Sequence, residues 1–171
     1  GTGKTTVARL IAKFLYGHGV LARDCFIEKN ALELKGQYIG QTTPKVIDAV
    51  ADAMGGCLFL DEAYALGEGG HHGTSDSFSC EAIRTLLTEV ENNRTNFLCI
   101  LAGYREPMKK LMTADPGMPR RFPTSIHLDN YSAQELAEIC RRTAADRFGL
   151  SFDDGLLAYL ADHIEKHYNN D

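Results

Sequence analysis

Long apolar runs are missing from this 171-residue chain; the longest, Phe97 to Ala102, has six residues. A membrane-spanning helix needs about 20. A basic surplus is missing too, since the net charge is −5. That argues against a dedicated nucleic-acid binder, which clusters Lys and Arg on one face. The five cysteines, Cys25, Cys57, Cys80, Cys99 and Cys140, include no C-x-x-C pair. An odd, scattered set gives little support to a disulfide framework or a zinc site. Cys57 and Cys99 fall inside apolar runs and are expected as small buried hydrophobes, reduced, in a compartment such as the cytoplasm or an organelle stroma. No internal repeat is apparent, and the chain opens inside a motif, so targeting is left open.

What is present is ordinary for a globular chain: 44% hydrophobic and 24% charged residues, enough for one domain with a small appendage. The opening five residues are Gly1-Thr2-Gly3-Lys4-Thr5. They match the back half of the phosphate-binding pattern G-x-x-x-x-G-K-[ST], called Walker A. A Gly-rich turn presents successive N–H groups as an anion nest, and the helix behind it aims its positive end at the same phosphates. Gly1, Thr2, Gly3 and Thr6 would line the triphosphate. Lys4 would reach its β- and γ-phosphates, and the Thr5 hydroxyl would ligate Mg. The helix is legible: Val7, Leu10, Ile11, Phe14 and Leu15 form one apolar stripe, ended by Gly17 and Gly19.

Beyond it, strands and helices alternate. Strands are expected at Cys25–Glu28, Cys57–Leu60, Phe97–Ala102 and Ser125–Leu128. Between them, Thr43 offers an N-cap with Pro44 at the first helical position, and Ile83, Leu86, Leu87 and Val90 mark a further helix. Residues Gly67 to Ser77 form a Gly/Ser/His-rich loop, in which His71 and His72 lack further ligands at metal-binding spacing. Short apolar strands separated by helices imply an α/β fold with a parallel sheet and helices on both faces. After Asp129 the character changes. Ser132-Ala133-Gln134-Glu135 is a capping box, Leu136, Ile139 and Cys140 form the apolar side of one helix, and Leu156 to Ile164 make a second. The boundaries expected are 1–130 for the core and 131–171 for a partial helical lid.

The strand Cys57-Leu58-Phe59-Leu60 ends in Asp61-Glu62, four apolar residues and then two acids, the Walker B layout. Asp61 is placed at the metal, and Glu62 would polarise the attacking water. Together these features resemble an AAA+ ATPase. Gly36-Gln37-Tyr38-Ile39-Gly40-Gln41-Thr42, Asp61-Glu62-Ala63-Tyr64, Leu101-Ala102-Gly103-Tyr104 and Asp115-Pro116-Gly117-Met118 resemble the CbxX/CfqX family. That family includes the red-type Rubisco activase and the stage V sporulation protein K group. The resemblance runs from Gly1 to about Phe152.

The resemblance implies ATP and Mg as cofactors, a ring of identical subunits, expected as a hexamer, and a polypeptide substrate. It implies a pore loop at Tyr38-Ile39-Gly40 that grips that substrate. It also implies an arginine finger at Arg121, given to the neighbouring subunit, with Arg120 a competing candidate. The position that usually carries a polar sensor residue falls at Tyr104, so Tyr104 is a candidate nucleotide contact. The family's second sensor arginine would lie beyond Asp171. The strand that feeds the phosphate loop would precede Gly1, and it is central in this family's sheet. The 171 residues alone are therefore expected to be poorly stable and weak in hydrolysis. Other readings stay open: an ATP-gated assembly switch that threads nothing, a non-hydrolysing scaffold, or a DNA-directed motor, which the charge and the aromatic loop disfavour.

Overall fold

The computed structural model describes residues 3–36, 38, 40–67 and 77–167. They fall into two compact units, 3–126 and 127–167. The first unit runs α1 (Lys4–Gly17), β1 (Phe26–Asn30), α2 (Thr42–Ala53), β2 (Cys57–Asp61), α3 (Ser77–Asn92), β3 (Leu98–Leu101), α4 (Arg105–Ala114) and α5 (Met118–Arg121). Two 3₁₀ turns, Ala31–Leu34 and Ala63–Leu66, follow β1 and β2. The three described strands are parallel in the order β1-β2-β3, with Phe26 opposite Cys57 and Cys57 opposite Leu98.

The apolar run in β2 reflects a sheet covered on both faces. Cys57 packs with Ala12 and Leu21, and Phe59 with Ala8, on the α1 side. Leu58 and Leu60 point the other way, into a core shared with Val46 and Val50 of α2 and Leu86 and Leu87 of α3. Each such side chain contributes about 1.5–3 kcal/mol when fully buried. No disulfide joins the cysteines among the described residues. Burial pushes the Cys57 thiol up to about 12 and raises that of Cys99 as well, so both remain protonated packing groups.

Two local expectations fail. The α2 helix begins at Thr42, with Gln41 as N-cap, so Pro44 sits third in the helix. The first-turn N–H groups have no intrahelical partner, so proline costs no hydrogen bond there. The Thr42 hydroxyl faces inward and accepts the Gly36 N–H at 3.0 Å. Ser125–Leu128 is not a strand. A strand needs a neighbouring ladder; the described sheet offers this segment none, and Ile126 is 62% exposed.

The second unit pairs α6 (Ala133–Phe148) with α7 (Asp154–His167). The capping box forms: Ser132 Oγ accepts the Glu135 N–H at 3.2 Å, and Glu135 Oε2 accepts the Ser132 N–H at 2.8 Å. Gly149, at φ 65°, ends α6 in the left-handed region where glycine is unstrained. The apolar side differs from expectation: Ala137 is buried, Leu136 is half-buried, and Ile139 and Cys140 are exposed. Alanine, the smallest of these side chains, lets two backbones approach closely, and two helices cover each other on one side only. No helix among the described residues is long and apolar enough to cross a membrane.

Candidate active site at the carboxyl edge of the sheet

In a parallel sheet the strands deliver their carboxyl ends to one edge, where α/β ligand sites form. Here that edge collects Asn30 from β1, Asp61 and Glu62 from β2, and Gly103 and Tyr104 after β3. It is tied together by backbone hydrogen bonds: Ala102 N–H to the Leu60 carbonyl at 2.9 Å and Ala63 N–H to the Ala102 carbonyl at 2.8 Å.

The amino end of α1 begins in a tight glycine turn. Gly3 is its N-cap at φ 73°, a left-handed turn that side chains with a Cβ rarely adopt. Its carbonyl accepts the Val7 N–H at 3.0 Å, and no acidic residue occupies the first turn. The first N–H groups of the helix therefore point outward, with the positive end of the helix dipole behind them. Gly1 and Thr2 lie outside the described residues. Thr5 is half-buried and Thr6 exposed. Lys4 extends to the end of β3, its Nζ lying 5.1 Å from the centroid of the Tyr104 ring.

Glu62 has the most constrained backbone here. At φ 50° and ψ 39° it is the one described non-glycine residue with positive φ. That conformation costs a residue with a Cβ on the order of 1–3 kcal/mol and recurs at functional sites. Two hydrogen bonds hold it: the Glu62 N–H donates to Asp61 Oδ1 at 2.9 Å, and Asn30 Nδ2 donates to Glu62 Oε2 at 3.0 Å. Glu62 Oε1 has no hydrogen-bond partner among the described residues. Asn30 was missed in the sequence because the strand was expected to stop at Glu28.

These residues fit Mg and a triphosphate. Asp61 keeps its Oδ2 without a hydrogen bond among the described residues, and the Thr5 hydroxyl likewise. Both are hard oxygen donors of the kind Mg takes, commonly through water.

Arg120 and Arg121 lie elsewhere, on α5. The helix is set by Asp115, whose Oδ1 accepts the Gly117 N–H at 2.7 Å, and by Met118, which is fully buried. Arg120 is exposed. Arg121 Nε lies 3.2 Å from Glu91 Oε2 on α3, but its N–H direction misses the oxygen, so this is an ion pair without a hydrogen bond.

Tyr38 is 69% exposed on a turn closed by the Gln41 N–H donating to the Tyr38 carbonyl at 3.2 Å. Gly40 takes φ 84°. At Gly36 a Cβ would come within 2.7 Å of Gln41 Cβ, so the turn needs glycine there. The base of the turn is braced by Lys35 Nζ donating to the buried Ser79 Oγ at 2.8 Å and by Thr43 Oγ1 donating to Glu81 Oε1 at 2.6 Å. Ile39, His71 and His72 lie outside the described residues.

Comparison with known proteins agrees with this edge. Residues 1–130 match the family described as ATPase family associated with various cellular activities (AAA). The chain is 43% identical over 147 residues to stage V sporulation protein K of Bacillus subtilis, covering 86% of this chain and 44% of that protein. It is 41% identical over 145 residues to the ESX-1 secretion system protein EccA1 of Mycobacterium tuberculosis, covering 85% of this chain and 25% of that protein. It is 41% identical over 147 residues to the ESX-3 secretion system protein EccA3 of the same organism, covering 86% and 23%. The chain thus spans less than half the length of these curated relatives. An outward-pointing helix start, paired acids at a strand end and this likeness lead to one conclusion: the chain belongs to the AAA family of ATPases, in its CbxX/CfqX-like group.

Proposed function

We propose that the carboxyl edge of the sheet hydrolyses ATP in a ring of subunits and that the work is delivered to a polypeptide by Tyr38. The observation that carries the hydrolytic reading is the Asn30–Glu62–Asp61 arrangement, which fixes a strained glutamate beside a carboxylate with a free oxygen. Lys4 and the first N–H groups of α1 bind the β- and γ-phosphates. Thr5 and, through water, Asp61 would hold Mg, which offsets charge on the phosphate oxygens. Glu62 Oε1 accepts a proton from the attacking water while Asn30 holds Oε2. Arg121 is given to the neighbouring subunit's γ-phosphate, and its ion pair with Glu91 keeps it in place until that stronger partner replaces it. In this reading residues 131–171 form part of a lid.

The mechanical reading is supported by the exposed Tyr38 ring on a braced turn. An aromatic wedge grips a chain without reading its sequence. The partner class is accordingly a protein segment in extended form. In the full-length protein, Tyr38→Ala is expected to keep basal ATP hydrolysis and lose its stimulation by an unfolded test protein. Stimulation equal to the parent's would favour an assembly switch that threads nothing.

A further inference from the structure

The ammonium of Lys4 has an aromatic partner where a carboxylate would be expected. Among the described residues it makes no ion pair, although Asp61 and Glu62 stand at the same edge; its contact is the Tyr104 ring, 5.1 Å from Nζ. Tyr104 is 66% exposed, yet its backbone is fixed. Its carbonyl accepts the Met108 N–H at 2.9 Å. The preceding Gly103 leaves no room for a side chain: a Cβ there would lie 2.7 Å from Tyr64 Cδ1 and 2.9 Å from Met108 Cγ. The Tyr64 ring flanks that of Tyr104, centroids 6.3 Å apart. The ring is thus a shelf with a defined position, and Lys4 rests on it.

We propose that Tyr104 is a positioning residue for Lys4. Its ring holds the ammonium clear of Asp61 and Glu62, so that Lys4 meets an incoming triphosphate without a carboxylate to displace. The inference rests on the reading of the α1 amino end as a phosphate site. A Lys4–carboxylate pair would have to break before phosphate could bind, and the apparent dissociation constant rises as the binding-competent fraction falls. A ring face carries no net charge and is a weaker acceptor than a carboxylate oxygen, so it occupies Lys4 without holding it against an incoming phosphate. The role belongs to the π face and not to the hydroxyl, so it separates phenylalanine from an aliphatic side chain of similar bulk.

The test uses the full-length protein with Tyr104→Phe and Tyr104→Leu. ATP affinity is measured by equilibrium titration and hydrolysis by steady-state kinetics, with thermal unfolding as a folding control. Y104L is expected to bind ATP about two- to fivefold more weakly than Y104F, the range for an exposed cation–π contact. The difference should appear in KM and not in kcat. Equal affinities for the two variants would overturn the proposal, as would tighter binding by Y104L, which would mean that the ring competes with phosphate. Loss of kcat in Y104F at unchanged affinity would also overturn it, by giving the hydroxyl the role. Failure of the parent itself to bind ATP would instead strike the phosphate-site reading on which the inference rests.

Discussion

In the α/β unit, Leu58, Phe59 and Leu60 have no exposed surface, whereas in the helical unit Ala137 is the one described residue that is buried. The first unit is held by side chains distant in sequence that meet across a sheet. The second relies on neighbours along the chain: the Ser132–Glu135 box, Glu138 with Arg141 and Arg142, and Lys166 with Asp162. The candidate site residues sit on the first kind of structure. Asn30, Asp61, Glu62 and Tyr104 all lie at or just past the carboxyl ends of strands of the packed sheet. A site that must hold a strained glutamate needs a surrounding structure that does not yield, and capped surface helices supply only fractions of that rigidity.

This contrast can be broken by mutation. Leu60→Ala should destabilise by about 2–5 kcal/mol, as for other fully buried leucines. Leu157→Ala, at a half-buried position on α7, should cost about 1 kcal/mol. Urea unfolding of the full-length protein, followed by a probe in each unit, measures both. Equal losses would mean that the helical unit has a core of its own weight.

Ser132→Ala removes an N-cap and should cost about 1 kcal/mol, read from the helical unit alone. Ser132→Asp, which keeps an acceptor at the cap, should recover most of it.

The smallest effect is a dependence on acid. Hydrogen bonds from Arg141 and Arg142 hold the Glu138 carboxyl down to about 2, below its ordinary 4.5. Hydrogen bonds from Ser132 lower that of Glu135 in the same direction. A carboxyl depressed in the folded state contributes stability that is present above its ordinary value and lost as pH falls toward the folded one. Helicity followed from pH 5 to pH 2 should therefore decline, and less steeply in Glu138→Gln. These groups are exposed to solvent, so the slope should also flatten in high salt.

Legibility followed the same division. The apolar run in β2 announced a strand covered on both faces, and the spacing of Ser132 and Glu135 announced a cap, because each signal is local and strong. Asn30 was not legible: its role exists only because β1 pairs with β2 in the register that sets it opposite Asp61. The Arg121–Glu91 pair and the Lys4–Tyr104 contact were hidden for the same reason, since both join segments far apart in the chain. Ser125–Leu128 read as a strand from composition alone, but strand formation depends on a partner that composition does not specify. Ile139 and Cys140 read as the apolar side of a helix, but helical periodicity identifies a face without saying how much of it is covered.

We propose that Glu62, held by Asn30 and aimed by its own strained backbone, activates the attacking water. Glu62→Gln keeps the side chain's size and can still hydrogen-bond to Asn30, but cannot take a proton. In the full-length protein, ATP hydrolysis should fall by about 10²–10⁴-fold while ATP binding persists, the usual contribution of a general base. Hydrolysis at the parent's rate in that variant would remove Glu62 from that role.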